Sequence, residues 1–328
     1  MNSSRKQAEL RMEPIARFPH PVAGDVAVRE THISCVILAG DYAYKLKKPV
    51  KTPFLDYSSL ELRKNACEEE LRLGKRYAND LYLNVVPIVL ESEQRVVDGD
   101  GPIVDYAVQM RRFADDSLFS RQLEAGSIAD PDIVEIATCV SQFHQQAQVL
   151  QGPFIRWLNT TRQLADDNLD ALSDALHPEL RNDIESLRRW THTEWDRRLD
   201  ALRSRCESGF VRECHGDLHC NNIVQWRGHW VPFDGIEFNP DLSWIDVIND
   251  AAFLMMDLQA RGHSDLATLW INAYFEATGD YEGLKLLRWY LVYRALVRAK
   301  VAAMREHQVE DDPNTMKSAS NEVSHYVA

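Results

Sequence analysis

Short segments with alternating apolar and polar residues open the patterned part of the sequence. Three of them follow one another from Val26 and read VRETHIS, CVILAG and YAYKLKK, with polar or Gly-Asp breaks between them. Alternation with a period of two is typical of strands, and such breaks are typical of tight turns. The pattern predicts three successive strands. Residues 1–24 are polar and interrupted by prolines, which indicates one short helix and then a loop.

The next segment, residues 59–79, has the pattern of an amphipathic helix, with Asp56 and Ser58 as candidate N-caps. At 100° per residue its apolar side chains form one broad arc, and Glu70 lies near the centre of that arc. A carboxylate on an apolar face is costly unless a cation pairs with it. The alternative is a helix of slightly different phase, with Glu70 on the surface.

Two further strands follow the helix, LNVVPIVLE and PIVDYAVQMRRF. Between them lies Asp98-Gly99-Asp100-Gly101, a strong signal for a hairpin turn. The pattern predicts that this turn joins the two strands directly.

From there the periodicity is helical. Residues 132–148 form an amphipathic segment whose apolar face carries His144, which we interpret as a structural, hydrogen-bonded histidine. Further helices are expected within 150–209, after Trp244, and near 264–278 and 282–305. The tail from His307 is polar and is expected to be loose until a short segment near its end.

Composition and charge narrow the classes of function. The chain has 328 residues, of which 45% are hydrophobic and 27% charged, as in ordinary globular proteins. Its net charge of −13 (37 basic against 50 acidic residues) argues against nucleic acid or an anionic membrane as the main partner, and it is compatible with a cationic substrate.

The cysteines and the N-terminus bear on the compartment. Six cysteines show no spacing typical of a disulfide framework, which favours a reducing environment. The N-terminus lacks an apolar core of signal-peptide length, and no apolar stretch approaches the length of a membrane span. We therefore expect a cytoplasmic protein.

The candidate chemistry lies in residues 214–239, CHGDLHCNNIVQWRGHWVPFDGIEFN. An acidic group at Asp217, a carboxamide at Asn222 and a second carboxylate at Asp234 are the groups that phosphoryl transfer needs. Asp217 can orient and deprotonate an attacking hydroxyl, and Asn222 and Asp234 can hold Mg²⁺ on the nucleotide phosphates.

Zinc is the competing interpretation of the same segment. His215 and His219 are four residues apart, with Cys214 and Cys220 beside them. Helical zinc motifs of that spacing usually carry Glu next to the first His, and the sequence has neither a CxxC pair nor a second pair of histidines. The pattern therefore favours phosphoryl transfer.

The segment His-Gly-Asp-x-x-x-x-Asn with a downstream Asp resembles the aminoglycoside phosphotransferase-like branch of the protein-kinase-like superfamily. The similarity covers about Arg29–Met304. It is strongest to the kinase-like domain that a P-loop ATP-binding domain follows in some bacterial proteins; the sequence has no GxxxxGK[ST], so we do not expect that second domain here. The matching segments are ETHISCVILAGDYAYKLKKPV, EEELRLGKRY, VPFDGIEFN and WIDV.

The resemblance implies an α+β, two-lobed protein-kinase-like fold. It has a small N-lobe, built on an antiparallel sheet with one αC-like helix, and a larger, mostly helical C-lobe. The implied division of the sequence is an extension at 1–24, a nucleotide-binding N-lobe at 25–112, a catalytic and acceptor-binding C-lobe at 113–306, and a polar tail at 307–328.

The resemblance also implies which residues bind the nucleotide. Alternation places Lys45 and Lys47 on one face of the third strand. The family's strand lysine corresponds to Lys45, with Lys47 as the alternative if the register is shifted. In the family this lysine pairs with a helix glutamate, here Glu70.

Three other positions acquire roles in the same way. The turn 31–34 stands where protein kinases carry a glycine-rich phosphate loop; it has no glycine, but the Ser34 hydroxyl and the backbone amides can still contact phosphate. Met110 and Arg111 correspond to the linker between lobes, whose backbone contacts adenine.

The resemblance also implies supporting roles for three residues. His215 would anchor the catalytic loop, and Asp246 and Asp250 correspond to residues that brace that loop in the family. For the two aspartates the alternative is a helix N-terminus that favours acidic residues.

We therefore predict a Mg²⁺-dependent phosphotransferase that moves the γ-phosphoryl group of ATP or GTP to a hydroxyl of a small-molecule acceptor. The alternatives are a nucleotide-binding interaction module without turnover and an atypical protein-directed kinase. The first is favoured only by the glycine-free turn. The second is disfavoured because the sequence lacks the His-Arg-Asp, Asp-Phe-Gly and Ala-Pro-Glu motifs of typical protein kinases.

Overall fold

The computed structural model of the chain describes residues 14–22, 24–52, 55–175, 181–308 and 326. The chain divides into two compact units. The first unit comprises Met1–Gly126 and Asn221–Pro240, and the second comprises Ser127–Cys220 and Asp241–Ala328. The domain boundaries expected from the sequence stay a prediction.

The first unit is built on a seven-stranded sheet in the order β1-β8-β7-β9-β4-β3-β2. Every pairing is antiparallel except the parallel pair β1 and β8. The strands are β1 (Ile15–Arg17), β2 (Ala27–Glu30), β3 (Ser34–Ala39), β4 (Tyr42–Lys47), β7 (Tyr82–Glu91), β8 (Gln94–Val97) and β9 (Ile103–Arg111). The three strands predicted after Val26 are thus confirmed as β2, β3 and β4.

Two strands of this sheet were not predicted from the sequence. Strand β1 lies in the segment assigned to a helix and a loop. Strand β8 pairs with β7 through a tight turn at Ser92 and Glu93, which both have positive φ (47° and 66°). The prediction that residues 98–101 join β7 directly to β9 was therefore wrong, because that turn follows β8. Ser and Glu, unlike glycine, give no sequence signal for a turn with positive φ.

Helix α1 (Leu60–Tyr77) packs against β7 and β9. Its N-cap is Ser59, whose hydroxyl accepts from the Leu62 amide, and not Asp56 or Ser58. Asp56 instead accepts from the Ser58 amide, so it stabilises the turn before the cap. The helix therefore begins at Leu60, one residue later than predicted, and its cap follows the predicted Ser58 by one residue.

The remaining elements of the first unit are short strands and one short helix. Strands β5 (Lys51–Thr52) and β6 (Leu55–Asp56) form one small hairpin, and β11 (Ile223–Trp226) and β12 (His229–Pro232) form another. Helix α2 (Phe119–Glu124) packs against β11.

The second unit is mostly helical. Its elements are α3 (Asp130–Gln146), α4 (Phe154–Ala175), α5 (Arg181–Glu207), α7 (Val247–Ala260), α8 (Ser264–Thr278) and α9 (Leu284–Gln308), with the strand pair β10 (Val211–Glu213) and β13 (Trp244–Asp246). The short helix α6 (Pro240–Ser243) precedes β13. Helix α7 packs against α8 and α9, and its residues are almost all buried. This explains why its sequence is apolar on every side.

The α+β class is confirmed, with an antiparallel-rich sheet in one unit and helices in the other. The helices expected near 132–148, 264–278 and 282–305 are present as α3, α8 and α9. In the described part of the chain, no helix has both the length and the hydrophobicity to cross a bilayer. The expected loose tail lies almost entirely outside the described residues.

Candidate functional site

The first group of candidate residues is centred on strand β4. Lys45 and Lys47 lie on one face of this strand, as alternation predicts, and both reach Glu70 on α1. Lys45 Nζ donates to Glu70 Oε1 at 2.8 Å, and it also donates to the carboxylate of Asp234. The pair Lys45–Glu70, which the family resemblance implied, is therefore present.

Lys47 is a full member of the same cluster and not merely a shifted alternative to Lys45. Its ammonium binds Glu70 Oε2 and the carboxylate of Glu237, and only 1% of its surface is exposed. The Tyr57 hydroxyl donates to Glu237 Oε1 at 2.7 Å. Sequence reasoning missed Glu237, although a glutamate in the apolar segment three residues after Asp234 was an available signal.

Both lysines are charged in this arrangement. Burial favours the neutral amine, but the carboxylates of Asp234 and Glu70 raise the pKa of Lys45 well above its usual range. For Lys47, burial is likewise outweighed by Glu237 and Glu70, so its pKa is also raised. The cluster thus presents fixed ammonium groups at neutral pH.

Asn222 and Asp234 are joined through the hairpin of β11 and β12. Ile223 pairs with Pro232, and one position further the Phe233 amide donates to the Asn222 carbonyl at 2.9 Å. This ladder fixes Asn222 beside the residue that precedes Asp234.

Asp234 itself has a backbone that most residues avoid. Its φ is 62°, in the left-handed region, which Asp tolerates better than most other side chains. Its amide donates to the Tyr82 hydroxyl at 2.9 Å, and 41% of its side chain is exposed. A partly exposed carboxylate offers hard oxygen donors, which fit Mg²⁺.

The turn 31–34 is held by its own side chains. The Thr31 and Ser34 hydroxyls lie 2.8 Å apart, and the Ser34 amide donates to Thr31 Oγ1 at 3.0 Å. Ser34 is 3% exposed. Its hydroxyl therefore shapes the turn, and its contact with phosphate stays a prediction.

The predicted adenine contacts lie at the end of β9. Met110 is paired on both sides within the sheet. The Arg111 amide donates to the Leu81 carbonyl, and the Arg112 amide donates to the Asp41 carbonyl, each at 2.8 Å. These donors are engaged by the fold, so adenine binding by Met110 and Arg111 also stays a prediction.

The second group belongs to the second unit and is the His-Gly-Asp loop after β10. Asp250, on α7, accepts from the His215 amide at 2.9 Å and from the Gly216 amide at 3.0 Å. Arg294, on α9, donates to the Gly216 carbonyl at 2.9 Å. Gly216 has φ 81°, which its lack of a side chain permits. Two helices thus hold the backbone directly before Asp217.

Asp217 has two histidine neighbours. Its amide donates to His215 Nδ1 at 3.2 Å, and His219 Nε2 lies 3.4 Å from Asp217 Oδ2. Burial favours the neutral acid, but His219 and His215 hold the pKa of Asp217 well below its usual range. Asp217 is therefore ionised at neutral pH, with His219 as a neighbour that the sequence analysis did not assign to this role.

The proposed supporting aspartates make different contacts. Asp250 holds the catalytic loop, whereas Asp246 caps α7 and accepts from the Ile248 amide at 2.9 Å. Arg205 donates two hydrogen bonds to the Asp246 carboxylate, and its guanidinium also donates to Asp280. Asp246 thus fixes the start of α7, the helix that carries Asp250.

The zinc alternative is not supported by this geometry. In the part of the chain that the structure describes, the one group of three or more potential ligands within 4.8 Å is His144, Cys214 and Asp250. It includes neither His215 nor His219. His144 bonds to the Tyr274 hydroxyl at 2.8 Å and to Asp250 at 3.2 Å, and it is the buried structural histidine that the sequence indicated.

Comparison with known sequences gives no function by itself. No family model matches the chain. An uncharacterized protein of Mycobacterium bovis is 33% identical over 300 residues, which are 88% of this chain and 57% of the relative. An uncharacterized protein of Mycobacterium tuberculosis matches equally well. The chain therefore spans little more than half the length of these curated relatives.

Comparison with solved structures identifies the fold. A choline kinase from Cryptosporidium parvum has a TM-score of 0.54 at 14% identity, over 92% of this chain and 88% of the other. An amicoumacin kinase in complex with AMP-PNP, Ca²⁺ and Ami gives 0.54 at 12%, over 99% and 92%. A thermostable mutant of the aminoglycoside phosphotransferase APH(4)-Ia gives 0.51 at 12%, over 93% and 94%. The chain has the protein-kinase-like fold of these proteins, which confirms the fold that the sequence resemblance implied.

Proposed function

We propose that this chain with a protein-kinase-like fold is a Mg²⁺-dependent phosphotransferase, which moves the γ-phosphoryl group of ATP or GTP to a hydroxyl of a small molecule. The observation that carries the proposal is the ion-pair network in which Lys45 joins Glu70 and Asp234. It provides a fixed ammonium group next to a partly exposed carboxylate. Those are the groups that phosphates and a metal ion require.

In this proposal Lys45 binds the nucleotide phosphates, and Asn222 and Asp234 hold Mg²⁺. The bound metal would neutralise the charge that develops on the phosphoryl oxygens. Glu70 keeps Lys45 directed toward the phosphates, a role that the 2.8 Å contact between them supports. Tyr82 supports this arrangement, since its hydroxyl fixes the amide of Asp234.

Asp217 orients the acceptor hydroxyl. Its depressed pKa makes it a weak base, but it also keeps the carboxylate ionised and able to accept a hydrogen bond. Phosphoryl transfer proceeds through a loose transition state in most analyses, so positioning contributes more than early removal of the proton. The contacts of Asp250 and Arg294 to the loop backbone provide that positioning.

The net charge and the structural neighbours support one class of acceptor. The chain carries a net charge of −13, which favours the approach of cations. Similar folds include a choline kinase and an aminoglycoside phosphotransferase in a complex with hygromycin B. We propose a cationic, hydroxyl-bearing small molecule as acceptor, and neither nucleic acid nor a membrane as partner.

The proposed compartment is the cytoplasm. All six cysteines lie in the described part of the chain, and none of them forms a disulfide. Five of them are buried. Free thiols persist in a reducing compartment.

A turnover screen tests the function. Purified protein with Mg²⁺ and ATP or GTP is incubated with a panel of amino alcohols, aminoglycosides and other hydroxyl-bearing metabolites, and release of ADP or GDP is measured with and without each compound. We expect release that depends on one class of acceptor. Nucleotide binding without release for any hydroxyl acceptor would favour the non-catalytic interaction module instead.

A further inference from the structure

The two lysines of β4 share one buried carboxylate. Lys45 donates to one oxygen of Glu70 and Lys47 to the other, while only 2% of the Glu70 side chain is exposed. The outer partners of the lysines differ. Lys45 also binds Asp234, which is 41% exposed, and Lys47 also binds Glu237, which is 4% exposed. One end of this chain of charges therefore faces solvent, and the other is buried.

In the proposed function, Mg²⁺ and the nucleotide phosphates meet this chain of charges at its exposed end. When a metal ion neutralises Asp234, the ammonium of Lys45 becomes available to the phosphates of the nucleotide. With Lys45 as its sole partner, Glu70 would then compete with phosphate for that ammonium, since a buried carboxylate without a cation is strongly disfavoured. Lys47 removes this competition, because it keeps one oxygen of Glu70 paired.

We propose that Lys47 is a positioning residue that keeps Glu70 neutralised, so that Lys45 can exchange Asp234 for the phosphates of a bound Mg²⁺-nucleotide. This inference rests on the proposed function and adds a role for the second lysine and for Glu237. A single lysine would have to serve both the carboxylate and the phosphate. With two lysines, the more exposed Lys45 serves the phosphate and the buried Lys47 serves the carboxylate.

The surroundings of Lys47 support a structural task rather than contact with a ligand. Its ammonium lies between Glu70 and Glu237 and 5.6 Å from the centre of the Tyr57 ring. Tyr57 also donates to Glu237, so the position of this carboxylate is fixed from two sides. Only 1% of the Lys47 side chain is exposed, compared with 11% for Lys45.

Binding of Mg²⁺-AMP-PNP, measured by calorimetry on the full chain, tests the proposal. We expect Lys47→Met to weaken binding about tenfold, within the range of couplings between contacting charged residues. The double variant Glu70→Gln with Lys47→Met should recover to within about threefold of wild type, because the amide oxygen that replaces the carboxylate still accepts from Lys45 but carries no charge that competes with phosphate. Lys48→Met is the matched control, because Lys48 pairs with Glu30 at 2.8 Å and not with Glu70. This variant should bind Mg²⁺-AMP-PNP like wild type.

The outcomes separate this proposal from the proposed function. Loss of binding in Lys45→Met with unchanged binding in Lys47→Met would overturn the role of Lys47 and leave the function intact. A double variant as weak as Lys47→Met would show that Lys47 merely maintains structure. Absence of nucleotide binding by wild type would overturn both proposals.

A measurement on the wild-type protein covers the case in which Lys47→Met does not fold. Lysines are labelled with an amine reagent and located by mass spectrometry, with and without Mg²⁺-AMP-PNP. We expect the nucleotide to protect Lys45, and we expect Lys47 to stay unlabelled in both samples. Labelling of Lys47 that the nucleotide suppresses would show direct contact with the ligand and would overturn the proposal.

Discussion

At the scale of single residues, Asp234 combines three features that a metal ligand needs. It is partly exposed, its amide donates to the Tyr82 hydroxyl, and its carboxylate contacts Lys45 from a residue with left-handed backbone. Structural strain at such a position is commonly associated with function. The sequence motif indicated this residue as a metal ligand, and that role stays a prediction; its ion pair with Lys45 was not predicted.

Asp234→Asn tests that role with little effect on the fold, because Asn also tolerates positive φ. We expect Mg²⁺-dependent nucleotide turnover to fall by roughly 10²-fold or more, the loss typical of removing one electrostatic stabiliser. Asp98→Asn is the matched control, since Asp98 is an exposed aspartate with φ 55° in the same unit. Near-normal turnover by folded Asp234→Asn would exclude Asp234 from metal binding.

The residue scale also shows what the sequence could not predict. Alternation placed Lys45 and Lys47 on one face, and the helical wheel directed Glu70 to a cation. Neither pattern predicts a partner that is 190 residues away along the chain, as Glu237 is from Lys47. Such pairs depend on tertiary packing, which local periodicity does not contain.

At the scale of elements, periodicity predicted the long helices and the central strands. It failed for β1 and β8, which have three and four residues. Strands this short contain too few alternations to be distinguished from loops. The turn at Ser92 and Glu93 adds to the difficulty, because its residues carry no turn signal of the Asn-Gly kind.

Arg205 links three elements of the second unit. It extends from α5, is 4% exposed, and binds Asp246 at the start of α7 and Asp280 after α8 with distances of 2.7–2.8 Å. Burial disfavours the charged form, but the carboxylate of Asp246 raises the pKa of Arg205 above its usual range. The guanidinium is thus the cation that balances two buried acids.

Arg205→Ala leaves both acids buried without their cation. We expect the free energy of unfolding in urea to fall by about 3–5 kcal/mol, the usual cost of breaking a buried ion pair. Arg197→Ala on the same helix is the control, since its side chain is 71% exposed; it should change stability by less than about 0.5 kcal/mol. A loss below about 1 kcal/mol in Arg205→Ala would contradict a structural role for this triad.

At the scale of the whole molecule, the sequence predicted the class of fold from one catalytic motif and the order of strands and helices. It could not predict that residues 221–240 join the first unit while the preceding Ser127–Cys220 belong to the second. This assignment results from long-range contacts of the β11–β12 hairpin, such as the bridge between Leu118 and Val224.

Nucleotide binding should be visible in the stability of the protein. A ligand at 100 times its Kd stabilises the native state by about 2.7 kcal/mol, which for a chain of this size raises Tm on the order of 5 °C. We expect that shift with Mg²⁺ and ATP or GTP in a thermal unfolding assay. We expect a smaller rise in Tm when a chelator removes Mg²⁺, or when the protein is the Asp234→Asn variant. Equal shifts with and without Mg²⁺ would contradict the metal site.

The central claim is that Asp217 acts on an acceptor hydroxyl while other residues hold the nucleotide. Asp217→Asn keeps the shape of the side chain and removes the carboxylate. It is measured by calorimetry with Mg²⁺-AMP-PNP and by acceptor-dependent ADP or GDP release with the acceptor found in the screen. We predict wild-type nucleotide affinity and a transfer rate lower by about 10²–10⁴-fold, the usual contribution of a positioned acid or base. Retained transfer, or loss of nucleotide binding in a folded Asp217→Asn protein, would contradict the account.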